Sequence, residues 1–211
     1  MRFFSFFRRP APIRDAGTLA HFIDRNAAFV AQKGIYEYAR ARAGHYAKVL
    51  FREPAFLAAI EQSRWRAYPL GLALVAELVE GVLRPHGADQ SRQRDALNAL
   101  VLSMFDRYPV PAPFDARTWS ELRGELARRL QLIGLHPPKR AMDIPVPFAE
   151  TYFNLMPIHE KLRASEFPTI RNYLRVTMCN IHDELTKRLD VAAVVQSLGG
   201  PEREARLHRS A

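Results

Sequence analysis

The stretch PLGLALVAELVEGVL, residues 69–83, is the most apolar part of this chain and decides its fold. Its only charged side chains are those of Glu77 and Glu80, and the helix-ending residues Pro85 and Gly87 follow it. A helix that spans a bilayer needs about 20 apolar residues, so this stretch is too short and too charged to cross a membrane. We therefore predict a central core helix that begins at the proline of this stretch.

One narrow polar seam runs along this predicted helix. Ala73, Glu77, Glu80 and Arg84 follow one another at spacings of four, three and four residues, which places them on one face. An unpaired buried carboxylate costs several kcal/mol, so a seam that faced the core would need arginine partners. We expect the seam to face solvent or an interface, where Glu80 and Arg84 would form an ordinary surface pair.

Helical patterns occupy most of the remaining chain, and no stretch alternates polar and apolar residues long enough to predict a strand. The N-terminal patterns predict one helix over 18–33, capped by Thr18 and broken by Gly34, another over 35–52, and a third from Pro54. Later patterns predict helices over 91–108, 116–133, 148–163, 168–189 and 191–198, with Asp115 and Asp190 as N-caps and Gly134 as a left-handed cap. The expected fold is all-α, a single helical domain of seven or eight helices over residues 18–200.

Prolines and polar residues mark the borders of this domain. Pro109, Pro111 and Pro113 form a stiff connector, so residues 109–114 are the candidate boundary between two lobes. Residues 1–17 are interpreted as a basic aromatic segment and a linker, and residues 201–211 as a disordered polar tail.

Charge and cysteine content limit the partners and the compartment. The 211 residues include 31 Lys and Arg against 22 Asp and Glu, a net charge of +9. This excess favours an acidic partner, which is an anionic lipid surface, a nucleic acid or an acidic protein. Cys179 is the single cysteine and excludes an internal disulfide, which favours a reducing compartment and a cytoplasmic location.

The first nine residues, MRFFSFFRR, combine four aromatic rings with three arginines. Rings of this kind enter the headgroup boundary of a membrane while arginines stay beside anionic phosphates. The predicted membrane-binding residues are Phe3, Phe4, Phe6, Phe7, Arg8 and Arg9. The run is too short for a spanning helix and lacks the apolar core of a secretory signal. The alternative is that these phenylalanines pack onto the domain.

Familiar catalytic motifs are absent from the sequence. No nucleophile elbow, phosphate loop, dinucleotide fingerprint, HExxH motif or CxxC motif occurs. The densest acid and histidine region contains Glu150, His159 with Glu160, and His182 with Asp183 and Glu184. Glu150 and His159 are nine residues apart and lie on opposite faces of an ideal helix. We expect no metal and no cofactor, and interpret His159 as a hydrogen-bonded core histidine.

The segment Arg64–Tyr68 interleaves two arginines with two large aromatic residues and is expected to join two helices. Arginine and aromatic residues are frequent binding anchors and suit the wall of a groove between helices. Upstream, Tyr38, Arg42 and His45 share one helical face and could line the same groove. The predicted partner-binding residues are Arg64, Trp65, Arg66, Tyr68, Tyr38, Arg42 and His45. The alternative is that Trp65 and Tyr68 complete the core while the arginines are solvated.

These patterns predict a non-enzymatic helical binding or assembly protein that is weakly associated with the inner face of a membrane and contacts a protein partner. Two other classes remain open. A small esterase-like hydrolase would require a serine such as Ser103 to meet a histidine. A nucleic-acid-binding protein would require the scattered arginines to converge on one face.

Overall fold

The structure, a computed structural model, describes residues 11–159, 163 and 165–199. The described residues form helices and no strand, which confirms the all-α prediction. Their helices are α1 Ala16–Ala28, α2 Gly34–Ala43, α3 Ala47–Leu50, α4 Pro54–Leu83, α5 Gln90–Asp106, α6 Ala116–Leu132, α7 Ala149–Asn154, α8 Phe167–Arg188 and α9 Val191–Leu198. Seven of these are at least eight residues long, within the expected number. The predicted membrane-binding residues 3–9 and the tail 201–211 lie outside the described residues.

Helix α4 forms the centre of the molecule and contacts α1, α2, α5, α6 and α8. Residues 70–80 are all buried, which agrees with a central core helix but not with the solvent or interface position expected for Glu77 and Glu80. Pro69 lies inside α4 and not at its start, so the prediction that 64–68 joins two helices is wrong. An internal proline removes a hydrogen bond and costs about 3 kcal/mol. Burial of Ala67, Tyr68 and Leu70 beside it opposes that cost.

Helices α1 and α2 are continuous through a π-helical turn over Phe29–Lys33. The prediction that Gly34 breaks the helix is therefore wrong. The Tyr152 hydroxyl donates a hydrogen bond to the Val30 carbonyl of this turn at 2.6 Å. A Cβ atom at position 34 would lie 2.2 Å from that hydroxyl oxygen. Glycine is therefore required here by the close approach of Tyr152 and not by a change of chain direction.

Two other N-terminal boundaries also differ from the predictions. Asp15, and not Thr18, is the N-cap of α1, and the two residues form a capping box in which Thr18 occupies the third helical position. The predicted helix over 35–52 is interrupted at Gly44, whose φ of 51° and ψ of −127° place it in a region that disfavours side chains. A 3₁₀ turn and the short α3 follow this glycine.

The C-terminal half confirms several local signals and corrects one helix. Asp115 and Asp190 cap α6 and α9, and Gly134 has a φ of 84°. The helix predicted over 148–163 already ends at Asn154, three residues before Pro157. The start of the described chain is held against the end of α8, because the Ile13 amide donates to the Arg188 carbonyl at 2.8 Å.

Candidate functional site

The segment Arg64–Tyr68 lies on α4 beside an aromatic cluster, whose members are Trp65, Tyr68, Phe105, Tyr108, Phe114 and Trp119. The Trp65 ring lies 5.3 Å from the Tyr108 ring and 5.7 Å from the Trp119 ring, and its indole nitrogen donates to Glu61 at 2.6 Å. Tyr68 is fully buried. Both aromatic side chains of the segment therefore pack within the fold, as the alternative interpretation expected.

The half-buried Asp24 carboxylate organises the hydroxyl groups of this cluster. Tyr68 donates to Asp24 of α1, and the Tyr108 hydroxyl lies 3.2 Å from the same carboxylate. Burial, followed by the hydrogen bond to Asp24, raises the Tyr68 pKa far above its ordinary value. Tyr68 therefore remains a neutral hydrogen-bond donor that ties α4 to α1.

The other three predicted partner-binding residues, Tyr38, Arg42 and His45, lie on α2 and in the 3₁₀ turn after it, whereas the segment 64–68 lies on α4. Arg42 forms an ion pair with Glu166 at 2.8 Å, and His45 lies beside Tyr46 with ring centroids 4.0 Å apart. Tyr38 is half-buried, and burial together with the Glu166 carboxylate raises its pKa. Tyr38 and Arg42 thus lie beside the start of α8, and the protein partner predicted for the combined surface stays a prediction.

The two arginines of the segment differ in their surroundings. Arg64 is paired with Glu61 at 2.8 Å. Arg66 is exposed, with its guanidinium 5.9 Å from the Phe114 ring centroid. Arg66 also reaches a pocket of about 110 Å³ between α4, α6 and α7. This arginine-edged pocket is lined by Arg66, Pro69, Leu70, Leu122, Glu125, Leu126, Arg129, Thr151 and Leu155.

Arg129 is the second cation of the arginine-edged pocket, and the sequence interpretation did not include it. Its Nη2 atom donates to Glu125, and its guanidinium lies 5.1 Å from the Phe148 ring centroid. Its Nη1 atom is buried and makes no hydrogen bond to any described residue. Arg129 belongs to a charged helical face in the sequence, and only the Phe148 ring and the pocket beside it distinguish it from its neighbours.

A second surface, the α2–α4 corner, exposes apolar side chains on α2, in the 3₁₀ turn after it, on α3 and at the start of α4. Its exposed members are Tyr36, Tyr46, Val49 and Leu57, with exposed fractions of 38, 61, 58 and 42 %. The half-buried Phe51 ring lies 5.0 Å from the Tyr36 ring and 5.3 Å from the Phe56 ring. Three rings of the corner are therefore in contact with one another, and the exposed Tyr46, Val49 and Leu57 lie within a few residues of them in the chain.

Exposed cations surround the α2–α4 corner. Residues 33–57 contain five Lys and Arg but only two Glu. Among these cations, Arg40, Lys48 and Arg52 are exposed and form no ion pair with any residue in the described part of the chain. Apolar side chains among unpaired cations are the arrangement that an anionic surface accepts.

Glu77 and Glu80 are buried, so the prediction of a solvent-facing seam is wrong. Glu80 accepts two hydrogen bonds from Arg84, at 2.6 and 2.8 Å, and Glu77 accepts one from Lys139 at 2.8 Å. Arg84 also donates to the His136 carbonyl at 2.7 Å, so the loop after α6 covers the seam. The hydrogen bond with Glu80 raises the Arg84 pKa and fixes its charge. This cluster holds the loop onto α4.

Glu160 of the acid and histidine region lies outside the described residues, and the described ones contain no group of three or more His, Cys, Asp or Glu placed to hold an ion. His159 is exposed, so its interpretation as a core histidine is wrong. The helix predicted over 148–163 would have carried His159, but α7 ends at Asn154. The Ser103 hydroxyl donates to the Leu100 carbonyl at 2.7 Å, and in the described part of the chain no histidine bonds to it.

In comparisons with known proteins, no family model, no curated protein and no solved structure matches the chain. Within the described residues, no helix combines the length and the apolarity needed to cross a bilayer.

Proposed function

We propose that this protein is a non-enzymatic helical binding protein that associates weakly with anionic membrane surfaces. The observation that carries the proposal is the α2–α4 corner. Its exposed Tyr46 and Val49 suit insertion at the headgroup boundary, and Lys48 and Arg52 suit the anionic phosphates. Each cation near such a surface contributes about 1 kcal/mol, and salt screens this contribution.

The sequence of residues 1–9 supplies a second surface-binding element of the same chemistry. One surface anchor binds a membrane only marginally, whereas two act together. The cytoplasmic leaflet is the anionic one in cells, and the single Cys179 suits a reducing compartment. We therefore place the proposed association at the inner face of a membrane.

Co-sedimentation with lipid vesicles tests the corner. The double substitution Tyr46→Ser with Val49→Ser should reduce binding to vesicles that contain phosphatidylserine. The matched control, Leu132→Ser with Leu135→Ser, removes apolar side chains that are 63 and 65 % exposed at the end of α6. This control should bind like the wild type. Equal binding by the corner variant and the control variant would refute the role of the corner.

A second pair of substitutions tests the contribution of the exposed cations to vesicle binding. Lys48→Gln with Arg52→Gln should lower binding to phosphatidylserine vesicles and leave the weak binding to phosphatidylcholine vesicles unchanged. Deletion of residues 1–9 should reduce binding further without loss of helical circular dichroism. If the deletion alone abolished binding and the corner variants had no effect, the N-terminal segment would be the membrane anchor and the corner would not.

A further inference from the structure

We propose that the arginine-edged pocket binds a small amphipathic carboxylate, namely an alkyl chain that ends in one carboxyl group. This inference concerns a different part of the molecule from the α2–α4 corner and does not depend on membrane binding. It rests on the apolar walls of the pocket, on the excess of cations at its edge and on the exposed guanidinium of Arg66.

The walls of the pocket suit a short alkyl chain. They are formed by Pro69 and Leu70 of α4, Leu122 and Leu126 of α6, and Leu155 just after α7. An apolar protein cavity of about 150 Å³ admits a benzene ring. The volume of about 110 Å³ here is therefore large enough for a chain of several carbon atoms. Pro69 adds to this wall a ring without an N–H group.

The edge of the pocket carries more positive than negative charge. Two guanidinium groups, of Arg66 and Arg129, stand beside the single carboxylate of Glu125. Arg129 is paired with Glu125, whereas Arg66 forms no ion pair with a described residue. A ligand with one negative charge would balance the pocket.

The exposed guanidinium of Arg66 points to a carboxylate as the charged group. Arg66 forms no ion pair with a described residue, whereas Arg129 is already paired with Glu125 and its Nη1 atom is buried. A carboxylate accepts two parallel hydrogen bonds from one guanidinium, and the planar geometry of the two groups matches. The hydroxyl of Thr151 on α7 lines the same pocket and offers a further donor.

Isothermal titration of the full chain with hexanoate, 1-hexanol and acetate tests this proposal. Hexanoate should bind, whereas hexanol lacks the charge and acetate lacks the chain, and each should bind at least tenfold more weakly. Arg66→Gln should weaken hexanoate binding at least tenfold without changing thermal stability, because Arg66 is exposed. Arg128→Gln is the matched control, since this neighbouring exposed arginine does not line the pocket, and its affinity should equal that of the wild type.

Two further variants separate loss of the site from loss of the fold. Arg129→Gln should abolish hexanoate binding, and Leu122→Phe should do the same by filling the pocket while both arginines remain. The proposal is overturned if hexanoate binds no more tightly than hexanol, or if Arg128→Gln weakens binding as much as Arg66→Gln does. Hexanoate binding that survives Leu122→Phe unchanged would also overturn it.

Discussion

At the scale of single residues, the contact between Gly34 and Tyr152 fixes the π-helical turn. Tyr152 is fully buried and donates to the Val30 carbonyl, which a π-helical turn frees from the regular α-helical pattern. Burial raises the Tyr152 pKa well above its ordinary value, so the hydroxyl stays a donor. This contact leaves no room for a side chain at position 34.

We expect Gly34→Ala to destabilise the protein by about 1–3 kcal/mol, the usual cost of overpacking a core. The loss should be smaller when Tyr152 is replaced by Phe, because the atom nearest to the added methyl group is then absent. Gly81→Ala on α4 is the control, since its Cβ would meet nothing closer than 3.9 Å and alanine favours a helix. Urea unfolding of the variants gives these differences. Equal losses at positions 34 and 81 would contradict the close-contact explanation.

At the scale of elements, an ion cluster ties α1 to α8. Glu184 of α8 accepts hydrogen bonds from Arg25 of α1 and from Arg188 one turn further along α8. Burial acts to raise the Glu184 pKa, but the hydrogen bonds from the two arginines outweigh it and the pKa is lowered. The cluster therefore stabilises the fold only while Glu184 is ionised.

The stabilisation by Glu184 should depend on pH with a definite sign. Its pKa is lower in the folded protein than the ordinary 4.5, so its contribution is complete above that value and is lost as the pH falls through the folded value. Glu184→Gln should therefore be less stable than the wild type by roughly 1 kcal/mol near pH 7, after allowance for solvent screening. The difference should disappear in acid. Asp183→Asn, at an exposed neighbouring side chain, is the control and should leave the free energy of unfolding near pH 7 unchanged in the same urea titrations.

At the scale of the whole molecule, the aromatic cluster joins helices from both sides of the connector 109–114. Trp65 comes from α4 and Trp119 from α6, and their rings lie 5.7 Å apart. Phe114 of the connector lies 6.0 Å from the Trp119 ring. A cluster shared in this way couples the two halves of the chain, so the separate lobes that the prolines suggested should not unfold independently.

We expect a single cooperative unfolding transition for the full chain. Trp65 and Trp119 are the only tryptophans, so tryptophan fluorescence reports on this cluster, while far-ultraviolet circular dichroism reports on all helices. The two signals should give the same urea midpoint and the same slope. Two transitions, with fluorescence and circular dichroism at different midpoints, would show that the lobes are separate folding units.

The candidate sites could be predicted from the sequence only in part. Arg66 was identified from its aromatic neighbours, and the structure places it at the arginine-edged pocket. Arg129 was missed, because one arginine in a charged helical face looks like any other until the Phe148 ring lies beside it. The α2–α4 corner was missed because Tyr46 resembles a core residue in a helical stripe, and it is 61 % exposed once Gly44 ends α2.

Local signals in the sequence determined the helical class and many helix ends, because a cap or a left-handed glycine acts within a few residues. Asp115, Asp190 and Gly134 each occupy the predicted position for that reason. Only the tertiary structure decided that Pro69 lies within α4 and that Glu80 is buried with Arg84. Both outcomes depend on contacts with distant parts of the chain, which the local sequence does not encode. Tyr68 beside Pro69 bonds to Asp24 of α1, and the His136 carbonyl of the loop after α6 accepts a hydrogen bond from Arg84 and covers its pair with Glu80.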